Sequence, residues 1–329
     1  MQAFYSDNFV LPLPIGHRFP MHKYRQLRDR LTLELPGVRL REAPSSTAGE
    51  LALAHNPAYV AAVLDGTLSS QQQREIGFPW TPAMAERSRR SVGATVAAAR
   101  AALIEGVAVN LAGGTHHASA DKGSGFCVFN DVAVAAKLMQ AESLRSSRGI
   151  VMRVLVVDLD VHQGNGTAAI FRGSDDVFTL SLHGQHNFPF RKEASHLDIE
   201  LPDGCTDGPY LAALDKALDA VVAHYHKALP PLMFYLAGAD PYEGDRLGRL
   251  ALSPAGLAER DRRVFAFART HRMAVAVSMA GGYGHRIEET VTIQVATVGQ
   301  ALSSWQQRQV SGLSALDIPG AAPPKTLSL

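Results

Sequence analysis

Five short apolar runs restrict this chain more than any other feature: Val107–Ala112, Val151–Val157, Val177–Leu182, Leu232–Ala237 and Met273–Met279. Each is brief, rich in Val, Leu, Ile or Ala, and followed within two residues by Gly, Asp or His, which is how a strand buried on both faces reads. Helical stretches lie around and between them at Pro82–Glu105, Asp131–Glu142, Pro209–Ala228, Pro254–His271 and Ile287–Gln306, and some open on a proline suited to a first turn. Strands alternating with helices predict an α/β fold, a single domain with a mostly parallel sheet and helices on both faces. No linker interrupts the pattern, so residues 1–309 are expected to form one domain, and the Ser-, Gly-, Ala- and Pro-rich tail from Val310 to Leu329 an irregular end. In such sheets ligands collect outside the carboxyl ends of the strands, and the polar clusters of this sequence fall there.

Composition excludes several classes. The 329 residues carry 32 basic and 31 acidic side chains, a formal charge of +1, which argues against a nucleic-acid-binding surface as the main business of the fold. Cys127 and Cys205 are far apart and outside any CxxC, so a disulfide framework is not expected and a reducing cytoplasm is the default compartment. The first residues, MQAFYSDNF, lack the basic and apolar segments of a cleaved signal, and no apolar run approaches the roughly 20 residues of a membrane span. A soluble protein is expected; oligomeric state is not readable.

Four segments carry chemistry. Asp158-Leu159-Asp160-Val161-His162 follows the second run directly. If extension continued, Asp158, Asp160 and His162 would share one face, and two carboxylates beside an imidazole are costly to bury without a cation. A divalent metal resolves this; a solvated turn is the bland alternative. The following Gly164-Asn165-Gly166-Thr167-Ala168-Ala169 also fits a G-x-G-x-x-A dinucleotide loop, but the next strand ends Thr179-Leu180-Ser181-Leu182-His183 without the acid that would hold a ribose. Gly113-Gly114-Thr115-His116-His117 offers two imidazoles as ligands or as a general base. Asp240, after the fourth run, either caps a turn before Pro241 or completes a two-carboxylate, one-imidazole set with an open position, the mark of a catalytic zinc site. Gly281-Gly282-Tyr283-Gly284 would leave a phenol at the cleft, placed to donate to an oxyanion. Two carboxylates and one imidazole also accept Fe(II) or Co(II).

Together these segments resemble the zinc-dependent histone deacetylases, whose core is an arginase-like α/β domain. The likeness runs from about His55 to Gly284 through His55-Asn56-Pro57-Ala58-Tyr59-Val60, GGTHHASADKGSGFCVFND (Gly113–Asp131), VDLDVHQGNG (Val157–Gly166), Ser181-Leu182-His183 and AGADPYEGDRLGRLALSPAGLAERD (Ala237–Asp261). The HQGNG and EGDRLG segments look most like class IV enzymes and their bacterial relatives. The resemblance implies removal of an acetyl or longer fatty acyl group from a lysine side-chain nitrogen, with an acyl-lysine protein or peptide, or a small acylated amine such as an acetylpolyamine, as substrate. It implies zinc on Asp160, His162 and Asp240, His117 as main general base and acid, His116 assisting electrostatically, and Tyr283 donating to the carbonyl oxygen. Asp158 and Asn165 would partner His116 and His117. Phe126 and Phe188 would wall the lysine channel, with Gly125 and Gly282 along it. A structural potassium site would use Asp158, Asp160, His162, Ser181 and Leu182. Gln163 and Asn165 stand where class I proteins have His and Asp, and a neutral Asn165 should leave His117 the weaker base.

Two rival classes would each leave a mark in the sequence. A non-catalytic acyl-lysine-binding module would be marked by loss of a ligand or of Tyr283, and none is lost. A binuclear metallohydrolase of the arginase type needs bridging carboxylates that Asp158–Asn165 and Ala239–Asp245 do not supply in the expected pattern. No G-x-S-x-G elbow supports a serine hydrolase.

Overall fold

The computed structural model describes residues 1–146, 150–226 and 228–310. Among these, eight strands form one sheet: β1 (Gln2–Tyr5), β2 (Arg39–Glu42), β3 (Val107–Asn110), β4 (Val154–Asp158), β5 (Val177–Gly184), β6 (Leu197–Leu201), β7 (Leu232–Leu236) and β8 (Ala274–Ser278). The helices are α1 (Lys23–Glu34), α2 (Ala48–Leu51), α3 (Pro57–Asp65), α4 (Ser70–Ile76), α5 (Pro82–Glu105), α6 (Asp131–Ser146), α7 (Asn165–Ile170), α8 (Asp207–Tyr225), α9 (Pro254–Thr270) and α10 (Ile287–Val310). The strand order is β2-β1-β3-β8-β7-β4-β5-β6, and every pairing is parallel. The predicted α/β architecture is thus observed, as one fully parallel sheet between two helical layers.

The two layers follow from side-chain alternation along each strand. Val107, Val109, Leu155, Val157, Met233, Tyr235, Val275 and Val277 point into a core shared with α1, α8, α9 and α10. Their neighbours Ala108, Val154, Val156, Leu232, Phe234, Ala274 and Ala276 point into the opposite core, shared with α3, α5 and α6. Helix starts follow from local chemistry: Thr81 accepts from Met84 N ahead of Pro82, and Ser253 accepts from Gly256 N ahead of Pro254.

The sequence reading places β3, β5, β7 and β8 within two residues of their ends. It starts the second run too early, since strand pairing begins at Val154 rather than Val151. It misses β1, β2 and β6, and α8 stops at Tyr225 rather than at Ala228. The expected irregular tail lies outside the described residues, apart from Val310, which ends α10. No helix among the described residues is long and apolar enough to cross a membrane.

The order matters for function because β3, β8, β7 and β4 are consecutive neighbours in the middle of the sheet. The segments bearing His116 and His117, Tyr283, Asp240, and Asp158–Asn165 leave the carboxyl ends of these four strands. Residues far apart in the chain therefore open onto one cavity.

Candidate metal centre and active site

The segment after β4 converges, although not by continued extension. The strand ends at Asp158, and the chain then turns on side-chain bonds: Asp160 N donates to Asp158 Oδ1 at 3.2 Å, and His162 N donates to Asp160 Oδ1 at 2.9 Å. Aspartate side chains capping their own backbone two residues on is a recurrent turn device. Here it aims Asp160 and His162 toward Asp240 at the end of β7. Asp240 is fully buried, and its Oδ1 accepts from Val161 N at 3.0 Å.

Asp160, His162 and Asp240 each offer a donor atom, and the three atoms lie within 4.8 Å of one another. His162 Nδ1 is 2.9 Å from Asp160 Oδ1 and 3.3 Å from Asp240 Oδ2. Donors about 2.0 Å from one tetrahedral centre stand roughly 3.3 Å apart, so these spacings suit one zinc-sized cation. Asp240 Oδ2 is buried and accepts no hydrogen bond. An orphaned carboxylate oxygen inside a protein is costly, and a cation bound by all three donors satisfies it. The electrostatics agree: against the effect of burial, Asp160 and Asp240 hold the His162 imidazole up, at about 10. Burial, with Asp160 beside it, pushes the Asp240 carboxyl up to about 7. The pocket draws in positive charge.

Gly281 is required here. A Cβ on it would lie 1.8 Å from Asp240 Oδ2 and 2.7 Å from Asp160 Oδ2, while its N–H donates to Asp160 Oδ2 at 2.8 Å. Behind the ligands, the guanidinium of fully buried Arg260 donates to Gly238 O at 2.6 Å and pairs with Asp261 at 2.8 Å.

The tandem histidines sit beside this cluster, their rings 4.2 Å apart. Asp131 fixes the glycine turn that carries them, accepting from Gly114 N at 3.0 Å and from Thr115 N at 2.8 Å. His116 Nδ1 donates to Asp158 Oδ2 at 2.6 Å, and His117 Nδ1 donates to Asn165 Oδ1 at 2.8 Å. The two rings then diverge electrically. Burial lowers His116, but Asp158 and Asp160 outweigh it and raise its pKa to about 9. Burial, His116 and His162 hold His117 well below the ordinary histidine range, with only a neutral amide as partner. One imidazole is kept charged and its neighbour kept neutral, the separation expected where acid and base duties are divided.

Tyr283 is held by its backbone: its N–H donates to Asp245 Oδ2 at 2.5 Å, and Arg246 Nε donates to its carbonyl at 2.8 Å. Buried Lys23, on α1, donates to Gly282 O at 2.9 Å and lies 4.9 Å from the centre of the Tyr283 ring. Burial, then Tyr24, pushes the Tyr283 phenol well above its usual range, so it stays a donor.

A cavity of about 1080 Å³ joins these groups to the surface, with Phe126 and Phe188 among its walls. Phe188 meets the His117 ring edge-on at 4.9 Å, and Phe126 lies 6.0 Å from the Tyr283 ring. Gly125, at φ +53, runs so close that a Cβ would lie 2.7 Å from His117 Cδ2 and 3.0 Å from the Phe188 ring. Asp158 and Ser181 are register partners on β4 and β5, and the Ser181 hydroxyl shares a 2.9 Å hydrogen bond with His183 Nδ1. Leu182, the other residue expected at a potassium site, is fully buried on β5.

Sequence reading did not single out Lys23, Asp131, Asp245 or Arg260. Asp131, Asp245 and Arg260 stand inside the motif segments, but Asp131 and Arg260 read as ordinary charges at a helix start and on a helix face, and only Asp245, beside Gly244, offered a local signal. Lys23 offered none, since its partner Gly282 is 259 residues away.

A family model described as the histone deacetylase domain matches residues 17–298. An uncharacterised protein of Picosynechococcus sp. is 41% identical over 289 residues, covering 87% of this chain and 93% of that one. Histone deacetylase 2 of Arabidopsis thaliana is 36% identical over 198 residues, 59% of this chain and 49% of that protein. The fold is similar to the crystal structure of the HDA15 HD domain, with a TM-score of 0.75 at 21% identity over 97% of this chain and 95% of that one. It is equally similar to an HDAC homolog from Aquifex aeolicus, with a TM-score of 0.76 at 24% identity over 92% and 84% of the two chains.

Proposed function

Because the chain belongs to the histone deacetylase family, we propose that it is a zinc-dependent amidohydrolase that removes an acyl group from the side-chain nitrogen of lysine. The observation that carries this reading is the meeting, at one cavity, of the Asp160–His162–Asp240 donor set, a neutral His117 and the Tyr283 ring. A divalent cation on those three ligands supplies Lewis acidity to the amide carbonyl and lowers the pKa of a water molecule beside it.

The rest is done by the chain. The Asn165 carbonyl keeps the His117 proton on Nδ1, which leaves Nε2 free to take a proton from the attacking water and return it to the departing amine. His116, held cationic by Asp158, faces the negative charge that develops. The Tyr283 hydroxyl donates to the carbonyl oxygen as it becomes an oxyanion. Phe126 and Phe188 take the apolar stem of an acylated lysine, whereas a free ammonium would lose its hydration there without a partner. Gly125 borders that channel, whereas Gly282, expected beside it, is not among the cavity-lining residues: a Cβ there would face Thr290 at 2.6 Å and Ala239 at 3.2 Å. Asp158, Asp160, His162, Ser181 and Leu182 remain the candidate potassium site, on resemblance alone.

The test is amine release from one lysine peptide carrying acetyl, octanoyl or myristoyl groups, with purified zinc-loaded protein. The likeness of His162–Gly166 to class IV enzymes is the reason for including the long chains. Turnover of any member supports the reading. No turnover across the series, with metal bound, would move it to a non-catalytic acyl-lysine-binding role or to small acylated amines.

A further inference from the structure

The cavity mouth carries charge that the proposed chemistry does not use. Arg18, Arg74, Lys122, Arg246 and Arg249 line it, and all five are exposed. Glu75 is the one exposed acid among the lining residues; the other two acids, Asp160 and Asp240, are buried ligand candidates. Arg249 pairs with Asp203 at 3.1 Å. Among the described residues, Arg18, Arg74, Lys122 and Arg246 have no carboxylate within ion-pair distance. In a chain whose net charge is +1, this excess is local to the mouth.

The cations also surround the opening. Arg74 lies on α4 next to the segment whose Glu75 and Ile76 carbonyls accept from Gly125 N and Phe126 N at 3.1 and 2.7 Å. Lys122 stands in the loop between β3 and α6, before Gly123 and Ser124. On the Tyr283 side, Arg246 Nε donates to Tyr283 O at 2.8 Å and its Nη2 to Arg18 O at 3.2 Å. Two backbone carbonyls therefore fix the Arg246 guanidinium at the mouth and bring the Arg18 backbone alongside it. A guanidinium already held costs little further entropy to engage a carboxylate.

We infer that this protein selects acyl-lysines carried in acidic polypeptide segments, with Asp or Glu close to the modified lysine. The inference rests on the deacylase reading and names its substrate class. A tail rich in Lys and Arg, or a polyamine, meets like charge at the same opening. Rim charges of this kind act mainly on encounter and are screened by salt.

The test uses the full zinc-loaded chain and peptides with one acyl-lysine and one backbone pattern, flanked by Asp and Glu, by Ser and Gly, or by Lys and Arg. At low ionic strength kcat/KM is expected to be about ten-fold higher for the acidic than for the basic peptide, as two rim pairs of about three-fold each would give. The ratio should shrink as salt is raised to about 0.5 M, where the screening length falls to a few ångströms. In the Arg74→Glu/Lys122→Glu variant the order of the two peptides should reverse. Selectivity is a ratio measured on one preparation, so partial loss of folded protein cancels. Equal turnover of acidic and basic peptides, or faster turnover of the basic one, overturns the inference and leaves the deacylase reading intact. Turnover of none overturns that reading and this inference with it.

Discussion

Asn165 is the neutral partner of the proposed base, and Asn165→Asp puts a carboxylate where the amide oxygen now accepts from His117 Nδ1 at 2.8 Å. Asp is close to isosteric with Asn, so the change is one of charge. Two unit charges about 4 Å apart interact by roughly 4 kcal/mol at an effective dielectric of 20, which would be about three pKa units. Asn165 is half-buried, which admits some solvent screening, and a shift of about one to two units is the working figure. The sign is upward, because the new negative charge favours the imidazolium. His117 accepts a proton only when neutral, and burial, His116 and His162 now keep it neutral to low pH. In Asn165→Asp the acidic limb of the kcat/KM profile should therefore move to higher pH by about that amount. The assay is peptide deacylation across pH, with bound metal measured at each point. An acidic limb that stays in place while metal stays bound would refute the assignment of His117 as base with Asn165 as its partner.

Other perturbations separate the remaining roles. Tyr283→Phe removes one oxyanion donor and should lower kcat by about 10²–10³ with little change in KM; equal loss in binding of a substrate analogue would sink the donor role. Gly281→Ala puts a methyl group 1.8 Å from Asp240 Oδ2, so purified protein should lose bound metal by elemental analysis, with a stability cost of roughly 1–3 kcal/mol. Asp240→Asn should abolish the rise in Tm that added zinc gives the wild-type protein, a stabilisation of about 2.7 kcal/mol at a hundred times Kd; a zinc-dependent Tm in the variant would remove Asp240 from the site. Arg260→Met leaves the Asp261 carboxylate in the core without its counter-charge, held only by the Tyr235 and Thr297 hydroxyls, and removes the donor to the Gly238 carbonyl, and denaturant melts should show a loss of about 3–5 kcal/mol.

The central strands were legible because they are buried on both faces, which leaves a continuous apolar run in β4, β7 and β8. The edges were not. β2 reads RLRE and is largely exposed, β6 reads LDIEL with only Leu201 buried, and β1 is four residues long, so none yields an apolar run. At the site, the residues that offer functional groups announced themselves by type and by position after a strand. Those that hold them in place did not. Lys23 reaches Gly282 from α1, and Arg260 reaches Gly238 from inside α9, where it reads as one more charge on a helix face. The convergence of Asp158, Asp160 and His162 was expected for a reason the structure replaces: turns capped by the aspartates, rather than extended strand, bring them together.

The adjacency of β4 and β7 has a mechanical meaning. Asp158 and Leu236 are register partners, and Asp160 and Asp240 follow two and four residues later. A backbone bond continues that pairing past the strands, from Leu159 N to Leu236 O at 3.1 Å, and on the other side of β7 the segment after it is tied to the segment after β8, from Ala239 N to Gly281 O at 2.9 Å. The two turns that carry the carboxylate ligands are thus anchored at their base by the β4–β7 main-chain pairing, about 4.8 Å across, and the aspartate-capped turns set the rest of the bite. Opening that pairing requires breaking the middle of the sheet, so amide exchange at Leu159 and Ala239 should track global unfolding instead of local breathing.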